Sequence, residues 1–357
     1  MTGRGIDQLL PHSAPRQLYE RSTRDAQHYV ALAERANGPL PGLVPFPYPW
    51  GAALDELERL SPDLRIVNLE TSVTRSDRYW KGKPVHYRMH PDNLPVLQAA
   101  RIDYCALANN HTLDWGRSGL LETIQSLGEA GIRYSGAGRD AEEAARPAVL
   151  PVDTRGRVLV FSYGLPSSGI PAEWAASSDR AGVNLLSDPL QNAVDAVARS
   201  VRAIERRGDV VVVSVHWGDN WGYEIPTEQV GFAHALIESA GVDVVHGHSS
   251  HHAKGIEVYR GKLVLYGAGD LLNDYEGIAG HEAFRPDLGL LYTARLDPAS
   301  GRLLDLRLTP LQRKRLSLHR ASRADGAWLL EILNREGRPL GAWLERGPDG
   351  DLLLRWE

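Results

Sequence analysis

Four histidines fall within seven residues in His246-Gly247-His248-Ser249-Ser250-His251-His252. They follow the β-branched run Val242-Asp243-Val244-Val245, and residues 242–246 read as a strand of an α/β sheet. Residues 233–240 before it read as a helix closed by Gly241. Open α/β sheets bind ligands beyond the carboxyl ends of their strands, so these imidazoles stand where a site is expected. His248 and His251, three apart on a turn, could aim two ring nitrogens at one cation. Three more apolar runs deliver polar groups in the same way. Residues 64–69 lead to Glu70, residues 104–108 to Asn109, Asn110 and His111, and residues 210–215 to His216.

If those ends converge, carboxylate, amide oxygen and imidazole together suit zinc, manganese or iron. Two such ions about 3.5–4 Å apart would hold a bridging hydroxide, a nucleophile at neutral pH, and hydrolysis is the chemistry that follows. Competing roles are simpler. Glu70 could start a helix, and Asn109 and Asn110 could cap a turn. His111 suits a proton donor. His246 and His252 read as neighbours of the ligands, because adjacent side chains on a strand point apart. Asp114 and Asp270 could orient imidazoles or meet substrate, and Asp114 could cap the next helix. Trp217, Trp221 and Tyr223 make either a cover or a wall for an elongated substrate. Lys81 and Lys83, with His86 and Arg88, form a positive loop, either simply solvated or able to meet an anion.

The elements that must position these groups are legible from the pattern. Residues 52–60, 119–128, 227–240 and 323–335 read as helices, residues 148–152 with 157–162 as a hairpin around Thr154, and residues 189–206 as a helix. Alternating α and β segments come early and hairpins late, which fits a two-sheet α/β sandwich. The chain has 357 residues, 43% of them hydrophobic, and a formal charge of −5. Such a length holds one elaborated core. The main domain is expected over residues 1–310, with a C-terminal helix and short strands over 311–357 packed on it. The weak negative charge argues against a nucleic-acid surface. The single cysteine, Cys105, reads as a buried thiol. No apolar run approaches about 18 residues and no export signal follows Met1, so the expectation is a cytoplasmic chain without a membrane segment.

The motifs also carry a resemblance. Asn68-Leu69-Glu70, Ala108-Asn109-Asn110-His111-Thr112-Leu113-Asp114, Val215-His216-Trp217-Gly218 and Gly247-His248-Ser249-Ser250-His251 resemble, in that order, motifs of the CapA capsule-synthesis family. This poly-gamma-glutamate biosynthesis family is related to the calcineurin-like metallophosphoesterases. Gly136-Ala137-Gly138, Gly255-Ile256-Glu257 and Tyr266-Gly267-Ala268-Gly269-Asp270 match weaker landmarks, and the likeness covers roughly residues 1–275. It implies a four-layer α-β-β-α sandwich and one or two Mn, Fe or Zn ions. Glu70 would bridge the ions, Asn110, His216 and His248 would hold the second, and His251 the first. His111 would be the general acid. Asn109, Asp114, Lys81, Lys83, Trp217, His252 and Asp270 would support the site or touch substrate.

The same scheme needs an aspartate ending a first strand. Met1-Thr2-Gly3-Arg4-Gly5 resembles the loop after that strand, which implies a misplaced start, with the strand upstream of Met1. Ser249-Ser250 stand where relatives commonly have His-Pro. The implied function is a metal-dependent hydrolase of a phosphoester or glutamyl amide in capsule or poly-gamma-glutamate metabolism. The alternative is a non-catalytic accessory protein that binds an anionic, polyglutamate-like polymer.

Overall fold

Valine-rich strands build the middle of the molecule. A computed structural model describes residues 1–153, 155–186 and 190–357. Thr154, at the expected hairpin turn, and Pro189, at the expected helix start, lie outside the described residues. Six strands form one sheet in the order Ile256–Tyr259, Lys262–Leu265, Val244–His248, Asp209–His216, Arg157–Gly164, Ala148–Pro151. Its four inner strands are parallel, and the register sets His216 beside both His248 and Gly164. Such strands are covered on both faces, which is why Asp209–His216 reads as a nearly unbroken apolar run. Val211, Val213 and Val215 pack towards helices Leu190–Ile204 and Thr227–Ala240. Val210, Val212 and Val244 face the other way.

A smaller parallel sheet runs Ile66–Asn68, Tyr104–Ala106, Arg133–Ser135. Leu120, Ile124 and Leu127 of helix Gly116–Glu129 belong to the core around Cys105, which is fully buried. A third sheet is antiparallel, in the order Leu288–Leu296, Leu303–Lys314, Leu352–Trp356, Ala342–Arg346, with Ser317–Arg320 beside Leu303–Lys314. Leu290, Leu306 and Leu344 from this sheet share one apolar cluster with Val212 and Val244. Leu329 and Leu333 of helix Arg323–Gly337 join it. The fold is therefore mixed α/β, parallel in its first part and antiparallel towards the end. Among the described residues, no helix is long and apolar enough to cross a membrane.

Two local expectations change. The histidine-bearing strand runs past His246 to His248, so His248 lies within it, on one face with His246, rather than on a turn beyond it. Gly247 between them is forced by space, since a Cβ there would come within 2.4 Å of the Leu265 carbonyl oxygen and 2.7 Å of Trp217 Nε1. The positive loop is not a solvated cluster either. His86 and Arg88 are buried, and the Arg88 guanidinium lies 3.7 Å over the Trp115 ring. Helix Gly5–Leu9 and strand Ser317–Arg320 were not legible from the pattern; both are too short to carry a period.

Candidate functional site

The turn after Tyr104–Ala106 organises one half of the site. Asn109 braces it, its Nδ2 donating to Asn68 Oδ1 and to the Leu69 carbonyl, both at 3.0 Å. Its Oδ1 accepts from the His111 amide at 3.1 Å. Asn109 is thus a buried scaffold residue. The fixed turn directs His111 towards two carboxylates. His111 Nδ1 meets Asp114 Oδ2 at 2.6 Å, and Nε2 lies 3.9 Å from Glu70 Oε1. Asp114 also accepts from the Tyr87 amide and from Lys83 Nζ, each at 2.6 Å, so it closes a loop rather than capping a helix. Lys83 Nζ donates as well to the Asn110 carbonyl.

Burial sets the electrostatics here. Burial pulls His111 down to about 4, against the pull of Asp114 and helped by Lys83. Its ring is therefore neutral near pH 7, with the Nδ1 hydrogen on Asp114 and a free lone pair on Nε2 facing Glu70. Burial pushes Glu70 up to about 7, with Asp270 adding and His251 opposing. Asp114 goes the other way, because His111 and Lys83 outweigh the cost of burying it. Two carboxyl groups within reach of one imidazole are thereby driven to opposite protonation behaviour, the pattern that separates acid from base.

The other half is a line of hydrogen-bonded rings across two strands. His216 Nε2 lies 3.2 Å from Asn110 Oδ1, and its Nδ1 lies 2.8 Å from His248 Nδ1. Ser214 Oγ joins His248 Nε2 at 2.9 Å to His246 Nδ1 at 3.0 Å. Burial holds all three imidazoles below their ordinary range. His251 differs. Burial opposes its charged form, but Asp270 at 3.0 Å outweighs that and raises it. Its Nε2 lies 3.3 Å from the Tyr275 hydroxyl, which accepts from Tyr87 at 2.8 Å. Asn273 Nδ2 donates to Asp270 at 2.7 Å.

Strand-end spacing led to Glu70, Asn110, His111, His216 and His248, and the fold draws these into one connected patch. It missed Ser214, Tyr87 and Tyr275, while His246 stands as a neighbour of His248, joined to it through Ser214. Ser214 was visible two residues before His216, on the same strand face, which is the one signal available. Trp217 takes the first of its two expected roles, buried cover rather than substrate wall: it is 3% exposed, donates from Nε1 to the Tyr266 carbonyl and packs beside Phe232. Two expectations need correction. His252 faces the aromatic rings of Trp221, Tyr223 and Phe284 instead of the patch. Lys81 is exposed, while Lys83 alone enters the network.

Donor types here suit Mn, Fe or Zn, but positions matter too. His216 spends its two ring nitrogens on His248 and Asn110, and His251 spends its own on Asp270 and Tyr275. Among the described residues no three His, Cys, Asp or Glu side chains gather around a common point. For these donors to meet one ion, His216 and His248 would have to part and His251 would have to leave Tyr275.

Residues 1–275 match the family described as Bacterial capsule synthesis protein PGA_cap. Over 350 residues the chain is 51% identical to a Mycobacterium tuberculosis protein named Probable polyglutamine synthesis accessory protein, covering 98% of this chain and 92% of that one. It is 25% identical over 210 residues to the Capsule biosynthesis protein CapA of Bacillus anthracis, covering 58% of this chain and 49% of that one. It is 27% identical over 209 residues to the PGA biosynthesis protein CapA of Bacillus subtilis, covering 58% and 52%.

Proposed function

Since this chain belongs to the bacterial capsule synthesis family PGA_cap, we propose that it is an accessory protein in making a glutamyl-type polyamide, whose strand-end patch holds a segment of that polymer. The observation that carries this reading is the run of neutral, mutually hydrogen-bonded groups from Asn110 through His216, His248 and Ser214 to His246. Their bonds to one another fix the edge of the patch, where the half-buried Asn110 can turn its amide to the polymer and Lys83 and the raised His251 stand nearby for carboxylates. The name of the 51% identical relative points the same way. We take the paired sheets with outer helices as the four-layer sandwich of the metallophosphoesterase type.

The test is binding of labelled poly-γ-glutamate and poly-glutamine to the purified protein, with and without a chelator. Saturable binding that survives both the chelator and His111→Ala, with no shortening of the polymer, is the expected result. Absence of binding to either polymer overturns it.

A second reading, hydrolysis of a phosphoester or glutamyl amide, is favoured by the line Asp114–His111–Glu70. A neutral His111 would take a proton and Glu70 would supply one. A dependence on one or two Mn, Fe or Zn ions belongs to this reading, and would require His216 and His248 to turn away from each other. Metal-stimulated, chelator-sensitive cleavage of p-nitrophenyl phosphate or of the polymer would favour it over the first.

A further inference from the structure

Charge is spread unevenly along this chain. Residues 11–28 and 75–88 hold eight arginine and lysine residues against three acids, in a chain whose formal charge is −5. The fold sets these two stretches side by side. The buried Arg88 guanidinium donates to the Pro15 carbonyl at 2.9 Å and to the Ser76 carbonyl at 2.8 Å, one in each stretch. Tyr19 and Tyr79 stack across the seam, ring centroids 3.6 Å apart and planes 10° from parallel. A buried cation and an aromatic pair therefore hold the stretches together, and their surface charges are left for other partners.

Part of that charge is absorbed within the protein. Glu20 and Asp25 are taken by Arg4 and Arg16. Arg75 meets Asp92 and Glu122, and Lys83 meets Asp114. Arg21, Arg24, Arg78 and Lys81 remain, all exposed, and among the described residues none of the four forms an ion pair. Asp77 is the one acid of the two stretches left over. Cations that the fold gathers without matching acids repel one another, and an anion that spans them relieves the repulsion.

This basic face runs into the strand-end patch. The Trp80 amide donates to the Asp114 carbonyl at 2.7 Å, which pins the loop to the turn that carries His111. Lys81 follows, and two residues on Lys83 bonds the Asn110 carbonyl and the Asp114 carboxylate. A polymer leaving the patch past Lys83 meets Lys81 next.

Resting on the reading of the patch as a polymer seat, we propose that the face of Arg21, Arg24, Arg78 and Lys81 holds a second segment of the same polymer. The polymer is then a polyanion with a free carboxylate on each repeat, not a neutral polyglutamine. Each exposed pair contributes little alone, and the linked repeats add their contributions on one chain.

The experiment measures binding of fluorescent poly-γ-glutamate and of poly-glutamine of equal length to the full chain and to two fourfold variants. One variant carries Arg21→Gln, Arg24→Gln, Arg78→Gln and Lys81→Gln. The other carries Arg199→Gln, Arg202→Gln, Arg206→Gln and Arg207→Gln, which removes the same charge from exposed positions at the opposite end of the sheet, where strand Asp209–His216 begins. Poly-γ-glutamate is expected to bind the parent about tenfold more tightly than poly-glutamine and to lose about tenfold in the first variant. Binding to the second variant should stay within about twofold of the parent. In the parent, raising the salt from about 0.05 M to about 0.5 M should erase the preference between the polymers. Equal affinity for the two polymers, equal loss in the two variants, or a preference indifferent to salt overturns the proposal and leaves the patch reading in place. Tighter binding of duplex DNA than of poly-γ-glutamate overturns it as well. If neither polymer binds the parent, the patch reading fails together with it.

Discussion

His216 and His248 meet Nδ1 to Nδ1 at 2.8 Å across two parallel strands in direct register. Two imidazole nitrogens at that distance must divide the roles of donor and acceptor, and the neighbours decide which is which. Asn110 Oδ1 accepts from His216 Nε2, so His216 Nδ1 carries the lone pair and His248 Nδ1 the hydrogen. His248 Nε2 then accepts from Ser214, whose oxygen accepts from His246 Nδ1. One consistent direction runs through five residues, all uncharged.

Ser214 is the link whose removal is cleanest. Ser214→Ala takes away one hydroxyl and leaves His246 Nδ1 and His248 Nε2 without this partner inside the protein. A buried polar group left unpaired costs about 1–3 kcal/mol, and the variant should lose that much in urea denaturation. Nitrogen NMR should also show the His248 ring exchanging tautomers in the variant and fixed in the parent. A loss below about 0.5 kcal/mol with unchanged ring signals would show that the chain does not run through Ser214.

The pair Lys83 and Asp114 should behave as a unit. Their nitrogen and oxygen lie 2.6 Å apart, with side chains 12% and 0% exposed. Removing one partner leaves the other charge buried, a loss of about 3–5 kcal/mol, whereas replacing both with groups of like shape costs much less. Asp114→Asn and Lys83→Met are each expected to destabilise strongly, and the double variant by clearly less than the sum. Additive losses in the double-mutant cycle would mean that the two charges are independently solvated.

How much of this was readable beforehand depends on range. The strand ends at Glu70, Asn110, His216 and His248 were legible, because apolar runs fix strands and polar residues at their ends fix what projects there. Trp217 stayed open between cover and substrate wall, since an aromatic beside a site residue carries no sign of which face it takes; it packs as cover beside Phe232. The Lys81–Arg88 loop misled for a different reason. Charge in a sequence does not reveal the buried partner that absorbs it, here Asp114 for Lys83 and the Trp115 ring for Arg88. Ser214 and Tyr275 act through contacts 32 and 24 residues away, and no local pattern encodes such pairings.

Glu70 supplies a pH signature. Its carboxyl stands at about 7 in the folded protein against 4.5 ordinarily. Between those values the folded state holds a proton that the unfolded state has released, so stability falls as pH rises from about 4.5 through 7. Above that window the buried carboxylate costs on the order of 3 kcal/mol. Glu70→Gln keeps the shape and removes the titration. Its stability relative to the parent should therefore rise between pH 5 and pH 8 in urea titrations. A difference independent of pH would show that Glu70 titrates as an ordinary carboxylate.

Arg4 ties the start of the chain to the loop that carries Asp270. Its guanidinium meets Asp274 at 2.5 and 3.0 Å and Glu20 at 3.2 Å, and lies 3.7 Å over the Tyr29 ring and 4.2 Å over Tyr87. Arg4 and both carboxylates are buried, so the cation neutralises a site that would otherwise hold two stranded acids. Lysine keeps the charge but cannot form the planar two-point contact or the stack. Arg4→Lys is expected to cost about 2–4 kcal/mol and Arg4→Met more, since the latter leaves two buried carboxylates unpaired. Asp274 lies four residues from Asp270, so both variants should loosen the Asp270–His251 contact and lower the pKa of His251 measured by NMR. If Arg4→Met unfolds no earlier than Arg4→Lys, stacking rather than charge holds the segment, and the link to His251 is lost with it.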